Sequence, residues 1–289
     1  MNSAKFPAWL KKRLPASEKY NETLGILKNN RLHTVCESAA CPNMGECFSK
    51  STAAFLILGE ICTRGCMFCD IKPGKPLLPD FDEPARLRKA VELLGLKYVV
   101  ITSVTRDDLA DGGAGQFAAV IRTLKAAAGL EVEVLIPDFN GEFQPLKTVI
   151  GAKPEVIAHN LEMVKELYPK LRSSRSSYER SLGLLRNVKK NGPGILVKTG
   201  IMVGLGEKKK QLTSVIEDIA KAGCDILTIG QYLRPSKSSA EVKEYYLPEE
   251  FLRLKQSAVN LGIKSVYSGP FVRSSYNARE LYTDRRMLG

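Results

Sequence analysis

The sequence lacks the features that mark membrane-spanning and secreted proteins. None of its apolar runs approaches the roughly 20 residues that a helix needs to cross a bilayer. The N-terminal stretch MNSAKFPAWLKKRLP is basic, but it contains no apolar segment of the kind found in secretory signals. We therefore expect a cytoplasmic protein with no membrane partner, in a compartment that keeps thiols reduced.

Histidine is scarce, with two residues, whereas cysteine is plentiful, with seven. Cysteines without a secretory signal seldom form a disulfide framework, so their number favours metal ligation. The formal net charge is +12. Such a charge is compatible with nucleic acid, with an acidic protein partner, or with a basic surface that only faces solvent. Composition alone leaves these three interpretations open.

Short β-branched runs alternate with amphipathic helical patterns along most of the chain, which predicts parallel βαβ units. The predicted strands are 54–60, 97–104, 131–137, 155–160, 195–204, 225–233 and 263–269, and the predicted helices are 84–96, 115–129, 177–192, 209–223 and 249–262. No G-x-G-x-x-G follows the first strand, so a dinucleotide-binding, doubly wound sheet has little support. A barrel or partial barrel is favoured, because its functional residues follow the C-terminal ends of strands.

Six of the seven cysteines form two triplets with different spacings. Cys36, Cys41 and Cys47 read C-x4-C-x5-C, and Cys62, Cys66 and Cys69 read C-x3-C-x2-C. Each triplet is one ligand short of a four-thiolate site, and a four-iron cluster held by three thiolates leaves one iron open for chemistry.

Other interpretations of the cysteines have to be weighed. For the second triplet they are a zinc site, a thioredoxin-like C-x-x-C pair and chance clustering, but no histidine follows nearby and the pair would leave Cys62 unused. For the first triplet zinc is a stronger alternative, with His33 as its fourth ligand. The residues therefore favour a cluster at both triplets and leave zinc open at the first.

The second triplet resembles the motif of the radical S-adenosylmethionine (SAM) superfamily, in which the open iron binds the methionine moiety of SAM and reduction releases a 5′-deoxyadenosyl radical. The two triplets in this order resemble the lipoyl synthase family, and the likeness extends from about residue 8 to residue 278. The segments that carry it outside the cysteines are VVITSVTRDDLADGGAGQFA (99–118), VLIPDF (134–139), HNLE (159–162), VKTGIMVGLGE (197–207), TIGQYLRPS (228–236) and GPFVRSSYNA (269–278).

This resemblance implies an α/β fold built on a partial (β/α)6-type TIM barrel over residues 54–268. An N-terminal extension (1–53) would carry the auxiliary-cluster cysteines, and a short C-terminal segment (269–289) would carry an RSSY motif. The implied reaction is the insertion of two sulfur atoms at C6 and C8 of a protein-bound octanoyl-lysine. The implied cofactors are SAM and two [4Fe-4S] clusters. The second triplet would hold the cluster that cleaves SAM, and the first would hold the auxiliary cluster that donates sulfur.

The fourth ligand of the family's auxiliary cluster is a serine, which corresponds to Ser275 in the terminal RSSY, with Ser274 as the alternative. A seryl oxygen binds iron more weakly than a thiolate, which suits a cluster that is consumed. RSSY occurs a second time at 175–178, before a predicted helix. There we expect Ser176 or Ser177 to cap the helix rather than to bind metal.

Five further residues are candidate contacts for SAM or substrate. Asn160, at the end of a predicted strand, is placed to hydrogen-bond a ribose hydroxyl. Gly200 and Gly204 match a glycine pattern whose backbone approaches the adenine in the superfamily, although each could simply end a strand tightly. Lys198 and Gln231 lie at or near strand ends and are candidates for contact with the SAM carboxylate or the substrate.

The resemblance also implies partners. These are octanoylated lipoyl carrier domains (E2 subunits of 2-oxoacid dehydrogenases and the glycine cleavage H protein), a reductant such as ferredoxin or flavodoxin, and an iron–sulfur carrier protein. We expect a monomer and no nucleic-acid partner, because no RNA-binding module is visible. The alternatives are a related radical SAM enzyme that inserts sulfur into a different substrate, and a two-cluster electron carrier.

Overall fold

The computed structural model describes residues 7–11, 17–127 and 129–287. Parts of the predicted N-terminal extension and the end of the predicted C-terminal segment lie outside the described residues, namely 1–6, 12–16 and 288–289. Within the described part, one sheet contains the strands β1 (His33–Thr34), β2 (Ala54–Ile57), β3 (Tyr98–Ser103), β4 (Glu131–Leu135), β5 (Val156–Ala158), β6 (Leu196–Val203), β7 (Ile226–Gln231) and β8 (Ser265–Gly269).

The strands follow each other across the sheet in chain order, from β1 at one edge to β8 at the other. All neighbours from β2 to β8 pair in parallel, whereas β1 pairs antiparallel with β2, with His33 opposite Leu56. All seven predicted strands are confirmed. The additional strand β1 places the first cysteine triplet beside the start of the sheet, because Cys36 follows it by two residues.

The helices lie between the strands, as the alternating sequence pattern predicts. Their bounds are α1 (Glu18–Asn29), α2 (Val35–Ser38), α3 (Met44–Ser49), α4 (Glu83–Leu93), α5 (Ala114–Lys125), α6 (Phe143–Gly151), α7 (Tyr168–Leu171), α8 (Tyr178–Asn191), α9 (Lys209–Lys221), α10 (Pro248–Asn260) and α11 (Ala278–Met287). The five predicted helices are confirmed as α4, α5, α8, α9 and α10. Side-chain caps fix two of the starts: Ser17 accepts a hydrogen bond from the N–H of Tyr20, and Thr34 accepts one from that of Glu37.

The central strands are buried on both faces. Every residue of β7 is buried, as are six of the eight residues of β6. Parallel strands become buried in this way when helices cover the outer face and side chains fill the inner one. The sheet thus forms a rigid frame, and its C-terminal strand ends meet at one rim, which we call the mouth of the barrel.

Among the described residues, no helix is both long and apolar enough to cross a membrane.

Candidate active site

The second cysteine triplet lies in the loop that follows β2, at the mouth of the barrel. Cys62, Cys66 and Cys69 line one cavity there, and each Sγ accepts a hydrogen bond from a backbone N–H at 3.4 Å. The donors are the amides of Arg64, Ser173 and Ile71, respectively. Amide donors aimed at sulfur stabilise thiolate ligands and tune the cluster that they hold. The local geometry therefore fits a thiolate-bound cluster.

The three thiols are close enough to influence one another's ionisation. Burial raises the pKa of Cys69 from 9.0 to about 12, with smaller contributions from Cys66 and Cys62. Burial also raises the pKa of Cys66, although the nearby Arg172 guanidinium opposes that shift. Metal binding replaces the thiol protons. The raised pKa values keep these thiols protonated without a metal, so binding a cluster would release their protons.

Arg64 anchors this cysteine loop to the barrel, a role that the sequence analysis missed. Its side chain is 4% exposed. The guanidinium donates two hydrogen bonds of 2.8 Å to Asp107, one of 2.7 Å to Asp138 and one of 2.8 Å to Asn140. Asp107 follows β3 and Asp138 follows β4, so one side chain ties the cysteine loop to two strand ends. Burial alone would raise the pKa of Asp138, but Arg64 outweighs burial and lowers it below 3.8.

The same cavity contains polar atoms that have no protein partner. Ser103 Oγ, Arg172 Nε and Ser176 Oγ are buried without a hydrogen bond, and all three residues line the cavity. Unpaired buried polar groups are costly, so several of them around one cavity point to a polar ligand. A small molecule with amino, carboxylate and hydroxyl groups, such as SAM, fits this lining.

Glu162 is a second site residue that no local pattern in the sequence identifies. Its backbone has a positive φ of 70° and is held on β6, because its N–H donates to Gly200 O at 2.9 Å and its carbonyl accepts from Met202 N at 2.7 Å. Burial raises the pKa of its carboxyl group, while Arg172 and Arg273 oppose that shift. Glu162 thus lines the same cavity as the three cysteines.

The first triplet surrounds α2 and α3, beside strand β1. Cys36 is 5% exposed on α2, Cys41 donates its N–H to Cys36 O at 3.0 Å, and Cys47 lies on α3. Burial raises the pKa of Cys36 to about 12, and both Cys41 and Cys47 add to the shift. The three thiols of this triplet are therefore also close together.

The C-terminal segment packs against this first triplet. Asn43 Nδ2 donates to Phe271 O at 2.7 Å, and Tyr276 Oη donates to Glu46 Oε1 at 3.0 Å. Ser275 and Cys47 line the same groove on this side of the molecule. These contacts bring together residues that are more than 200 positions apart in the sequence.

The two serines of the terminal RSSY face different surroundings. Ser274 Oγ donates to Asn160 Oδ1 at 2.8 Å. A Cβ on Gly200 would approach Ser274 Oγ to 2.9 Å and Asn160 Oδ1 to 3.0 Å, so a glycine at 200 makes room for this contact. Asn160 lines the cavity of the second triplet. Ser274 therefore points toward that cavity, whereas Ser275 lines the groove of the first triplet.

Two other candidate side chains, those of Lys198 and Gln231, make hydrogen bonds within the barrel. Lys198 is fully buried and donates to both carboxylate oxygens of Glu133, at 2.7 and 3.0 Å. Gln231 Nε2 donates to three backbone carbonyls, and its Oε1 accepts from Tyr246 N at 2.9 Å. Gly204 has a φ of +100°, and a Cβ there would lie 2.2 Å from Gln231 Nε2. The structure does not bring these three residues into the cavity lining.

The structure also shows where the internal RSSY motif and His33, the alternative zinc ligand, lie. Ser177 Oγ accepts from Arg180 N at the start of α8, which confirms the predicted helix cap in the internal RSSY. His33 Nδ1 lies 3.1 Å from Glu60 Oε1. Within the part of the chain that the structure describes, no group of three or more His, Cys, Asp and Glu residues is arranged to hold a single metal ion.

Comparison with known proteins places the chain in a family. The sequence profile of the Radical SAM superfamily matches residues 56–219. The chain is 53% identical to the lipoyl synthase of Caldicellulosiruptor bescii, with 96% of each chain covered. It is 53% identical to the lipoyl synthase of Caldanaerobacter subterraneus subsp. tengcongensis, over 94% of this chain and 95% of the relative. The lipoyl synthase of Thermus thermophilus is 46% identical, over 96% of this chain and 87% of the relative.

Solved structures with low sequence identity share the fold. Methylornithine synthase (PylB) aligns with a TM-score of 0.56 at 16% identity, over 95% of this chain and 81% of that chain. The FeFe-hydrogenase maturase HydG from Carboxydothermus hydrogenoformans aligns with a TM-score of 0.57 at 15% identity, over 79% of this chain and 55% of that chain. These matches confirm the predicted α/β architecture and are compatible with a partial barrel. With both cysteine triplets in place and close relatives along nearly its whole length, the chain belongs to the lipoyl synthase family of the Radical SAM superfamily.

Proposed function

We propose that this chain catalyses the lipoyl synthase reaction, in which two sulfur atoms are inserted at C6 and C8 of an octanoyl group carried on a lysine of a protein. The observation that carries the proposal is the arrangement of the two triplets. One lies at the mouth of the barrel, and the other lies at the sheet edge beside Ser275, a residue that follows the last strand.

The mouth triplet, Cys62, Cys66 and Cys69, is proposed to hold the cluster that binds SAM. When bound, this pair of cofactors supplies a carbon-centred radical able to remove hydrogen from an unactivated C–H bond, which no acid or base in the chain could do. The chain's own contribution is position and shielding. Arg64 fixes the cysteine loop, and Phe68 lies in the cavity lining, where it limits solvent access to the thiols.

The other triplet, Cys36, Cys41 and Cys47, is proposed to hold the auxiliary cluster that donates sulfur. Ser275 is the preferred fourth ligand, because it shares a groove with Cys47, whereas the hydroxyl of Ser274 already donates to Asn160. An oxygen ligand is weaker than sulfur for iron, which suits a cluster that is taken apart in the reaction.

Among the SAM candidates, Asn160 has the strongest support, because it lines the cavity of the mouth triplet. Gly200 supports it indirectly, by leaving room for Asn160 and Ser274 above β6. We assign Lys198, Gly204 and Gln231 to the internal bonding of the barrel. Glu162 and Arg172 are added as candidates for the polar groups of SAM.

The proposed substrates are octanoylated lipoyl carrier domains, of E2 subunits or of the glycine cleavage H protein. We further propose that a ferredoxin or flavodoxin supplies electrons, that an iron–sulfur carrier protein rebuilds the auxiliary cluster, and that the enzyme works as a cytoplasmic monomer. If the carrier domain is acidic, the net charge of +12 is explained as electrostatic steering toward it.

The test is an anaerobic assay of the reconstituted protein with SAM, dithionite and an octanoylated carrier domain. We expect both 5′-deoxyadenosine and a carrier whose mass increases by two inserted sulfur atoms less the hydrogens that they replace. Deoxyadenosine without the lipoyl product would contradict the proposed function and favour sulfur insertion into a different substrate. Absence of deoxyadenosine from a fully loaded enzyme would contradict radical chemistry altogether.

Three serine variants test the assignment of the auxiliary ligand. Ser275→Ala should keep deoxyadenosine formation and lose the lipoyl product, and its Mössbauer spectrum should lack the oxygen-ligated iron site. Ser274→Ala should instead weaken SAM binding through the loss of its bond to Asn160. Ser177→Ala is the matched control, since it removes only a helix cap. Wild-type spectra and lipoylation in Ser275→Ala would refute the assignment.

A further inference from the structure

The loop after the mouth triplet exposes three large apolar side chains close together. Leu77 is 83% exposed, Leu78 is 89% exposed and Phe81 is 89% exposed. Single exposed apolar residues are normal on protein surfaces, but three within five positions form a patch of the kind found at interfaces. We call Leu77, Leu78 and Phe81 the apolar ridge.

The backbone of the apolar ridge is held firmly although its side chains are exposed. Arg106 Nη2 donates to Leu77 O at 2.9 Å, and Gln116 Nε2 donates to Asp80 O at 3.0 Å. Arg86 Nη2 adds a bond of 2.8 Å to Asp80 Oδ2. Pro76 and Pro79 further restrict the chain. A pre-ordered surface loses little entropy on binding, so this loop is suited to contact a partner.

The apolar ridge lies at the rim of the mouth. Its loop begins directly after Cys69, and Cys62 pairs with it through a bond from Cys62 N to Lys72 O and one from Gly74 N to Cys62 O, both of 2.9 Å. Arg106, which holds Leu77, also donates to Leu58 O at the end of β2. The ridge therefore lies on the same rim of the barrel as the cavity of the mouth triplet.

We propose that the apolar ridge, together with Lys72 and Lys75, is the docking surface for the carrier domain that presents the octanoyl-lysine. This inference rests on the proposed function and adds the place where its protein substrate binds. The partner that fits is a small acidic domain with an apolar patch next to the acylated lysine. Lys72 and Lys75 are exposed on the Cys69 side of the ridge, whereas on its other side Asp80 is paired with Arg86 and Asp82 is exposed next to Phe81.

The test compares a carrier domain with a short octanoyl-lysyl peptide as substrates for the holoenzyme, with dithionite as reductant. The variant is Leu77→Ser with Leu78→Ser and Phe81→Ser, and the matched control is Leu252→Ser, which changes an apolar side chain on α10 that is 64% exposed. We expect kcat/KM for the carrier domain to fall at least tenfold through KM, since a few apolar anchors dominate most interfaces. The peptide should react as with the wild type.

A second variant tests the charges. Lys72→Glu with Lys75→Glu should weaken carrier binding and flatten its dependence on salt, because the attraction to carboxylates is lost. Carrier binding is also measured directly by biolayer interferometry, so the result does not depend on turnover. An enzyme that makes no lipoyl product from either substrate contradicts the proposed function, while reduced carrier binding by the ridge variant still supports the docking surface.

Several outcomes would overturn the docking surface. Unchanged carrier kinetics and binding in the ridge variant would do so, as would an equal loss with carrier and peptide, which would mean that the loop only shapes the cavity. A loss seen only when a protein reductant replaces dithionite would assign the ridge to the electron donor. A wild-type dimer in solution that the ridge variant abolishes would assign the ridge to a second copy of the chain.

Discussion

Replacing Arg64 with alanine removes the side chain that holds the cysteine loop to the barrel, and its cost can be worked out from the contacts. The guanidinium is paired with two carboxylates whose side chains are 5% and 0% exposed, Asp107 and Asp138. Removing one partner of a buried ion pair typically costs about 3–5 kcal/mol, because the remaining charge is left unpaired. Arg180 still lies 3.4 Å from Asp138 Oδ2, so we expect the lower end of that range.

The pH dependence of this variant should differ in sign from that of the wild type. In the wild type Arg64 overcomes the effect of burial and lowers the pKa of both carboxyl groups below 3.8, so this stabilisation is present at neutral pH and is lost as the pH falls below about 4. Without Arg64, burial raises both pKa values instead. The deficit of the variant should therefore be largest near pH 7 and shrink as the pH falls toward about 4.

The assay is urea unfolding of the apoprotein between pH 4 and 8, together with the iron content and visible absorbance after anaerobic reconstitution. The control is Arg186→Ala, which removes an exposed arginine from α8. We expect Arg64→Ala to bind less iron at the mouth triplet while keeping the auxiliary iron. A variant with wild-type stability at pH 7, or with a deficit that grows in acid, would refute the reasoning.

Three further predictions concern the barrel interior. His159 is buried between Ile136 and Ser181, and burial lowers its pKa from 6.5 to about 4. The unfolded chain therefore takes up a proton that the folded chain does not, and the wild type loses stability as the pH falls from 6.5 to 4. His159→Gln should abolish this part of the loss, and unchanged acid sensitivity would contradict the prediction. Lys198→Met should cost about 3 kcal/mol, because it leaves the buried Glu133 carboxylate without its cation and with only the hydrogen bond from Tyr98 Oη. Adding Glu133→Gln should recover much of this loss in urea unfolding, whereas additive losses would refute the pairing. Gly204→Ala should lower the melting temperature, because the left-handed backbone is strained for alanine and the new Cβ would overlap Gln231 Nε2. The control is Gly25→Ala on α1, where a Cβ meets open space and should raise the melting temperature slightly. Equal effects of the two substitutions would argue against the overlap.

The sequence predicts much of this fold because the repeating βα pattern leaves a strong local signal. Each of the seven strands from β2 to β8 contains β-branched residues and lies between helical or turn patterns, so these strands can be recognised without tertiary information. Strand β1 was missed because two residues, His33 and Thr34, have no periodicity of their own and exist only through pairing with β2. The sequence pattern also does not predict helices α1, α2, α3, α6, α7 and α11. Of these, α2 and α7 have only four residues each, α6 contains Pro145, and α11 is highly charged.

The site was predictable only where its residues form a local motif. The cysteine spacings are visible in the sequence, but Arg64 acts through Asp107 and Asp138, which lie 43 and 74 positions away. Lys198 shows the opposite problem. Its position in a strand predicted a ligand contact, yet the structure pairs it with Glu133, a partner that strand alternation alone does not identify.

The packing of the C-terminal segment against the first triplet has a consequence for how the protein matures. Asn43 and Glu46 lie beside the first strand of the sheet, while Phe271 and Tyr276 follow the last, so their contacts join the two open edges of the barrel. These partners are 228 and 230 positions apart, so their contacts close a loop that includes most of the chain, and closing it costs conformational entropy that local contacts do not. During synthesis Ser275 leaves the ribosome long after Cys47. The groove that these two residues share can therefore form only once the barrel strands between them have been made.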